Sequence, residues 1–269
     1  MQSVYELKKY KNSRDPELVK ALKLYSQNIE PALRTDTKEI MHWLDKYNKT
    51  FEDSFYILGF YLNEMLIGFS EVAHFVEEKV IIVDYLVIDK LYRGNNTFHE
   101  FMEQIRGLLA EENLEYNYVV AEVGCFYEKT EPPENARHLI RLLKMSHFGV
   151  VKCNYYAPRL GINNHESEMR AIMMIYSANE TKQIKKETFF QIVNAIYYKY
   201  YQRWYNEFLG EQDKIKYSRS LHELVSRMEK ELMSKKFIEI NGMSNLFPLQ
   251  SESGNKNKVS KVVKVVTAV

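Results

Sequence analysis

The chain has 269 residues, enough for one large domain or one domain with a helical extension, and its 45% apolar content is that of a chain that folds. Its 37 basic and 36 acidic residues leave a net charge of +1, which excludes a globally basic binder of nucleic acid or anionic membrane. Two cysteines, Cys125 and Cys153, make no disulfide framework, the first residues hold no apolar signal core, and no run approaches the ~18 apolar residues of a membrane span, so a cytoplasmic setting is expected.

In chain order, "SVYELKKY" (3–10) alternates as a first strand. Asp15-Pro16 reads as the cap and first residue of a helix. A second helix is predicted from Thr37 to Tyr47, with Ile40, Trp43, Leu44 and Tyr47 on one side. "SFYILGFYLN" and "MLIGFSEVAHFV" are rich in aromatic and β-branched residues and read as a hairpin turning at Asn63-Glu64. "KVIIVDYLVID" (79–89) is continuously apolar, as a strand covered on both faces is. After Arg93-Gly94, the residues Phe98, Phe101, Met102, Ile105, Leu108 and Leu109 form a helical stripe. A strand over 116–124, a helix with Ala136, Leu139, Ile140 and Leu143, and two strands, "FGVVKCNYYA" and "EMRAIMMIYSA", complete the series. The expected class is α+β or α/β: a mixed, mostly antiparallel central sheet flanked by helices.

Past residue 178 the texture changes. Phe189, Phe190, Val193, Tyr197, Tyr200, Tyr201, Trp204 and Phe208 recur at roughly helical spacing. Ser220-x-x-Glu223 is a capping box, and Leu221, Leu224, Val225, Met228 and Leu232 follow it as a second stripe. A core domain over 1–178, a helical appendage over 179–245 and a flexible Lys/Val-rich tail over 246–269 are expected. Basic residues interleave with aromatics at Lys199 and Arg203, a pattern that can stack on single-stranded nucleic acid. So aromatic a face belongs instead against the main domain or a second subunit, making a homo-oligomer through residues 187–232. The seven histidines are scattered without metal-ligand spacing, so no metal site is expected.

The order of elements, with "LVIDKLYRG" (86–94), "ENARHLIRLLKMSHFGVV" (134–151) and the closing strand "SEMRAIMMIYSA", resembles the GNAT superfamily of acyl-CoA-dependent N-acyltransferases over residues 3 to 178. The resemblance implies transfer of an acetyl or other acyl group from acetyl-CoA or a related acyl-CoA to an amine, on a small molecule or a protein. It places the cosubstrate against Leu86, Val87, Ile88, Arg93, Gly94, Asn95, Asn96, Thr97 and Phe98. A phosphate suits such a strand-to-helix turn, because backbone N–H groups and the helix dipole converge there. Two glycine positions of the family's loop are filled by Asn96 and Phe98. Asn tolerates a left-handed backbone. Phe98 either turns into the core or stands where the pyrophosphate would lie.

Acyl transfer needs a base for the amine proton and an acid for the departing thiolate. The resemblance puts a carboxylate base at Asp84, with Glu122 on the next strand as a second candidate. The family's usual Tyr acid falls on Leu143, which has no proton to give, and His147 replaces a glycine. Tyr155, Tyr127 or Tyr156 are the substitutes. Cys125, without an evident partner, reads as structural. Glu128, Glu131, Arg159 and His165 lie in loops that would shape an acceptor pocket. Because Asn96, Phe98 and Leu143 depart from the pattern where the chemistry is concentrated, a silent GNAT fold serving as a structural or protein-binding module is the alternative.

Overall fold

A computed structural model describes residues 4–29, 31–94, 96–126, 134–160, 169–177, 179, 181–241 and 267–268. β1 (Tyr5–Lys9) leads into α1 (Pro16–Asn28), where the Asp15 carboxylate accepts from the Glu17 N–H. α2 (Thr37–Thr50) is capped likewise by Asp36 and buries the predicted face of Ile40, Trp43, Leu44 and Tyr47. β2 (Ser54–Leu62) and β3 (Met65–Phe75) form the hairpin, turning at Asn63 and Glu64 with φ of 47° and 67°. Two positive φ values in a two-residue loop match the twist of the strands. β4 (Val80–Ile88) is buried along its whole length. A short 3₁₀ turn (Lys90–Tyr92), α3 (Thr97–Glu111), β5 (Tyr118–Phe126) and α4 (Glu134–Met145) follow as the periodicity predicts.

The strand expected over "FGVVKCNYYA" is two strands, β6 (Gly149–Val151) and β7 (Tyr155–Ala157), both paired with β8 (Met169–Ser177). Between them the Cys153 N–H turns back to the Val151 carbonyl, and the Lys152 N–H is drawn to Glu239. Beyond lie β9 (Gln183–Lys185), α5 (Lys186–Asn194), a π-helical segment (Ala195–Gln202), α6 (Arg203–Asn206), α7 (Glu211–Glu231), β10 (Phe237–Asn241) and β11 (Thr267–Ala268). α7 begins at Glu211, so Ser220 sits inside it, and its hydroxyl donates to the Tyr217 carbonyl instead of capping. The sequence reading missed β10, whose Ile238 and Ile240 face the interior.

The sheet runs β1-β2-β3-β4-β5-β8-β6-β10-β9, with β7 on β8 and β11 on β4. Among the described residues, only β4–β5 and β4–β11 pair in parallel. α3 and α4 cover one face, burying Phe101, Ile105 and Leu139. α1, α2 and the helical run 186–206 cover the other. The expected boundary near 178 does not divide this core. Trp204 lies 5.9 Å from Trp43 and 5.5 Å from Phe55, and β10 joins the main sheet through β6. Residues 242–245 of the expected appendage and 246–266 and 269 of the expected tail lie outside the described residues; Thr267 and Ala268 form β11. No helix among the described residues is long and apolar enough to cross a membrane.

Candidate functional site

β4 and β5 pair at three positions only, from Val80–Tyr118 to Ile82–Val120. Beyond them each strand has a reason to turn away. On β4 the register against β3 slips between Glu71 and Val72, so that Val83 opposes Val72, Tyr85 opposes Glu71, and Asp84 is the extra residue. A bulge of this kind bends its strand and raises the local twist. On β5 the register against β8 shifts between Val123 and Phe126, around Gly124 with φ of 56°. A Cβ at Gly124 would lie 2.8 Å from the Ala136 Cβ, so only glycine lets α4 approach so closely. The β5-facing edge of β4, from Val83 to Ile88, is therefore left without β5. On that edge Leu86 and Val87 pair with Thr267 and Ala268 of β11.

The edge ends at the start of α3. Gly94 has φ of 106°, and a Cβ there would meet nothing within 4 Å. Asn96 takes the left-handed conformation, φ 65°, as expected of an Asn in a glycine position. The Thr97 N–H and hydroxyl both donate to the Gly94 carbonyl, at 2.9 and 2.7 Å, which fixes the turn. Phe98 is 5% exposed and belongs to the α3/α4 side of the core, so it turns away from the helix start. The half-buried Arg93 reaches backwards. Its Nε–H donates to the Ile88 carbonyl at 3.0 Å and its Nη2 to Asn28 Oδ1 at 3.1 Å, tying the end of β4 to α1. Burial lowers its pKa. Asn95 lies outside the described residues.

Three carboxyl groups stand side by side on β3, β4 and β5: Glu71, Asp84 and Glu122, at 0%, 2% and 1% exposure. The π-helical segment lies over them. The Tyr200 hydroxyl donates to Glu71 Oε1 and lies 3.1 Å from Asp84 Oδ2. The Tyr201 hydroxyl lies 3.2 Å from Asp84 Oδ1 and 2.8 Å from Glu122 Oε2. The Tyr155 hydroxyl donates to Glu122 Oε1 at 2.5 Å. A π-helical turn is rare and tends to mark a functional or strained position. Here it sets the consecutive Tyr200 and Tyr201 both toward the sheet.

Proton supply governs the charge of this cluster. Glu71, Tyr200, Asp84, Tyr201, Glu122 and Tyr155 form a chain of five oxygen–oxygen contacts, for which the hydroxyls bring three protons. Only protonated carboxyls can complete the other two. Burial, then the neighbouring Asp84 charge, pushes the Glu71 carboxyl well above the usual carboxylate range. The second Glu71 oxygen has no hydrogen-bond partner among the described residues. Burial and Asp84 likewise hold the Tyr200 and Tyr201 hydroxyls protonated.

The structure thus brings together Asp84, Glu122 and Tyr155, and separately lines Leu86–Ile88 along the edge that β5 leaves and β11 pairs with, ahead of the turn at Gly94, Asn96 and Thr97. Tyr156 goes elsewhere, its hydroxyl donating to Glu231 Oε1 at 3.1 Å. Leu143 is buried within the α4 core, and His147 takes a positive φ of 68° where the family has glycine. Tyr127, Glu128, Glu131 and His165 lie outside the described residues, as does the side chain of Cys125; Arg159 is exposed. Burial pushes the Cys153 thiol up to about 12, which disqualifies it as a nucleophile. The stacking platform is used up inside the chain: Tyr200, Tyr201 and Trp204 are buried, Lys199 pairs with Glu77 and Glu78, and Arg203 pairs with Asp53. Sequence reasoning missed Glu71 and the donors Tyr200 and Tyr201. The available signal was a row of Tyr, not Phe, on a core-facing stripe, since each buried hydroxyl needs an acceptor.

No family model matches the sequence, and no curated protein matches it. The fold does match solved structures. A GNAT-family protein from Bacteroides thetaiotaomicron is similar over 71% of this chain and 96% of its own, with a TM-score of 0.53 and 14% identity. An acetyltransferase from Salmonella typhimurium that modifies the N-terminal serine of a 50S ribosomal subunit protein is similar over 64% of this chain and 94% of its own, with a TM-score of 0.47 and 12% identity. An N-acetyltransferase from Staphylococcus aureus Mu50 is similar over 65% and 97%, with a TM-score of 0.44 and 15% identity. The first of these carries the argument, and it is an argument about architecture: this chain has a GNAT-like fold.

Proposed function

We propose that this GNAT-like chain is a divergent N-acyltransferase that moves an acetyl or other acyl group from acyl-CoA to an amine of a small molecule or a protein. The observation that carries this reading is the edge of β4 that β5 leaves beyond Ile82, which leads to the start of α3 and has Thr267 and Ala268 as its strand partner. The pantetheine arm of CoA is an extended chain with two amide groups, and an unpaired strand edge supplies backbone partners for such a chain. Its pyrophosphate suits the first turn of a helix, where N–H groups and the dipole favour negative charge. Leu86, Val87 and Ile88 would take the arm, and Gly94, Asn95, Asn96 and Thr97 the phosphates. The space beside Gly94 and the inward turn of Phe98 fit that use. Arg93 serves by holding the end of β4, not by reaching the phosphates.

In the transfer the amine nitrogen attacks the acyl carbon and the carbon–sulfur bond breaks. The amine gives up a proton, and the thiolate gains one. Asp84, on the bulge where β4 leaves β5, is the base we favour; Glu122 is the second candidate. A network short of protons can accept one more without leaving an isolated charge in the core. Tyr155 is the acid this cluster offers.

One observation favours a second reading, a silent fold serving as a structural module. Asp84, Glu122 and Tyr155 are all at most 2% exposed and bonded within one network, so none of them faces an acceptor. Titration with CoA and assay with acetyl-CoA separate the two. CoA at a hundredfold over its Kd should stabilise the fold by ~2.7 kcal/mol. No shift at millimolar CoA sinks the acyltransferase reading. Binding with no transfer to any amine tried, or turnover unchanged in Asp84→Asn, sinks the role given to Asp84.

A further inference from the structure

We propose that β11 is a competitor built into the chain: its C-terminal residues Thr267 and Ala268 hold the edge of β4 that acyl-CoA has to take. This inference rests on the reading of Leu86–Ile88 as the cosubstrate edge, and it adds a resident occupant to that edge.

The geometry is specific. β11 pairs in parallel with β4 at Thr267–Leu86 and Ala268–Val87. These lie past Ile82, the last β4 residue that β5 pairs with, and just before the turn into α3. Where β5 no longer pairs with β4, the edge of β4 offers its backbone N–H and C=O groups to another chain. Such an edge is a template for any extended chain that reaches it. The stretch that carries β11 has the composition for the task. "KVVKVVTAV" (261–269) is rich in β-branched residues and holds no glycine, proline or acid. It is also tethered. β10 and β11 belong to one chain, so docking is intramolecular and proceeds at an effective concentration. A free cosubstrate competes with that concentration, not with an empty groove. Both occupants use the same feature, backbone hydrogen bonds to β4, and two chains cannot share one edge.

The test keeps the full chain and replaces both strand residues, Thr267→Pro with Ala268→Pro, which removes two N–H donors and disfavours the ladder. Neither residue belongs to the proposed catalytic or cosubstrate set. Two measurements are made on the variant and the wild type. The first is amide hydrogen exchange over residues 83–88 without CoA. The second is the Kd for CoA by calorimetry. Faster exchange over 83–88 in the variant is expected. A strand docked in about nine molecules of ten raises the apparent Kd about tenfold, so the variant should bind CoA about ten times more tightly. Equal exchange in the two chains overturns the docking of β11. Faster exchange with an unchanged Kd overturns the competition. If neither chain binds CoA, the cosubstrate reading falls and competition with it, while the exchange result alone still decides whether the strand occupies the edge.

Discussion

Tyr201→Phe is the sharpest probe of the carboxyl cluster. It keeps the buried ring, so no cavity opens, and removes one oxygen and one proton. The hydroxyl stands 3.2 Å from Asp84 Oδ1 and 2.8 Å from Glu122 Oε2, and the residue is 2% exposed. No water can replace it without repacking. A hydrogen bond to a charged group contributes about 1.5–3 kcal/mol, and this hydroxyl takes part in two contacts, donating in one and accepting in the other. We expect a loss near the top of that range, about 3 kcal/mol. For a chain of this size, ~2–4 °C per kcal/mol makes that a fall in Tm of about 6–12 °C. Tyr198→Phe is the control, because that ring stacks on His222 outside the cluster and its change should stay within about 0.5 kcal/mol. Thermal unfolding followed by circular dichroism at pH 7 reads both. If Tyr201→Phe melts within 2 °C of the wild type, the hydroxyl is not what keeps Asp84 and Glu122 in the core, and the proton count is wrong.

Glu71→Gln tests the same cluster through pH. The folded Glu71 carboxyl holds its proton well above its ordinary value of 4.5. Its contribution is therefore full at pH values below that value and is lost as pH rises toward the folded pKa. The stability of Glu71→Gln relative to wild type, read as urea midpoints, should rise from pH 5 to pH 8; parallel curves refute it. Gly94→Val should cost about 1–3 kcal/mol through its left-handed backbone, and should weaken CoA at least tenfold by filling the space beside the α3 start. A Kd equal to wild type would move the phosphate site elsewhere. Arg93→Ala should lower stability by about 1–2 kcal/mol through its two lost bonds; urea unfolding unchanged from wild type would show that it does not brace β4.

Much of the architecture was legible because the relevant signals are local. Asp15-Pro16, Asn63-Glu64 and the stripe from Phe98 to Leu109 each act within a few residues, and each element formed where they placed it. Asp84 and Glu122 stood out through the resemblance to the GNAT pattern, as carboxylates on adjacent strands. The failures are all non-local. Nothing near Val151 says that Ile240 will lie beside it, so β10 was missed and β6 and β7 were read as one strand. The capping box at Ser220 lost to a helix that starts at Glu211, because Tyr217 is also held by the core and carries the helix through the serine. Nothing near Glu71 in the sequence marks it as buried; Tyr200, far along the chain, covers it. The bulge at Asp84 depends on pairing with β3 and leaves no mark in the sequence of β4 alone.

The cluster also orders the events of synthesis. Glu71, Asp84 and Glu122 leave the ribosome well before Tyr200 and Tyr201. Until those hydroxyls arrive, three ionised groups face water on what will become the most covered face of the sheet. A stray apolar segment that settled there would have to strip their hydration without paying it back in hydrogen bonds, a loss of several kcal/mol. That face accordingly rejects ordinary hydrophobic partners and waits for the one helix whose apolar stripe carries hydroxyls at the right height. The same carboxyls that make the finished core unusual act, earlier, as the selector of the segment that completes it.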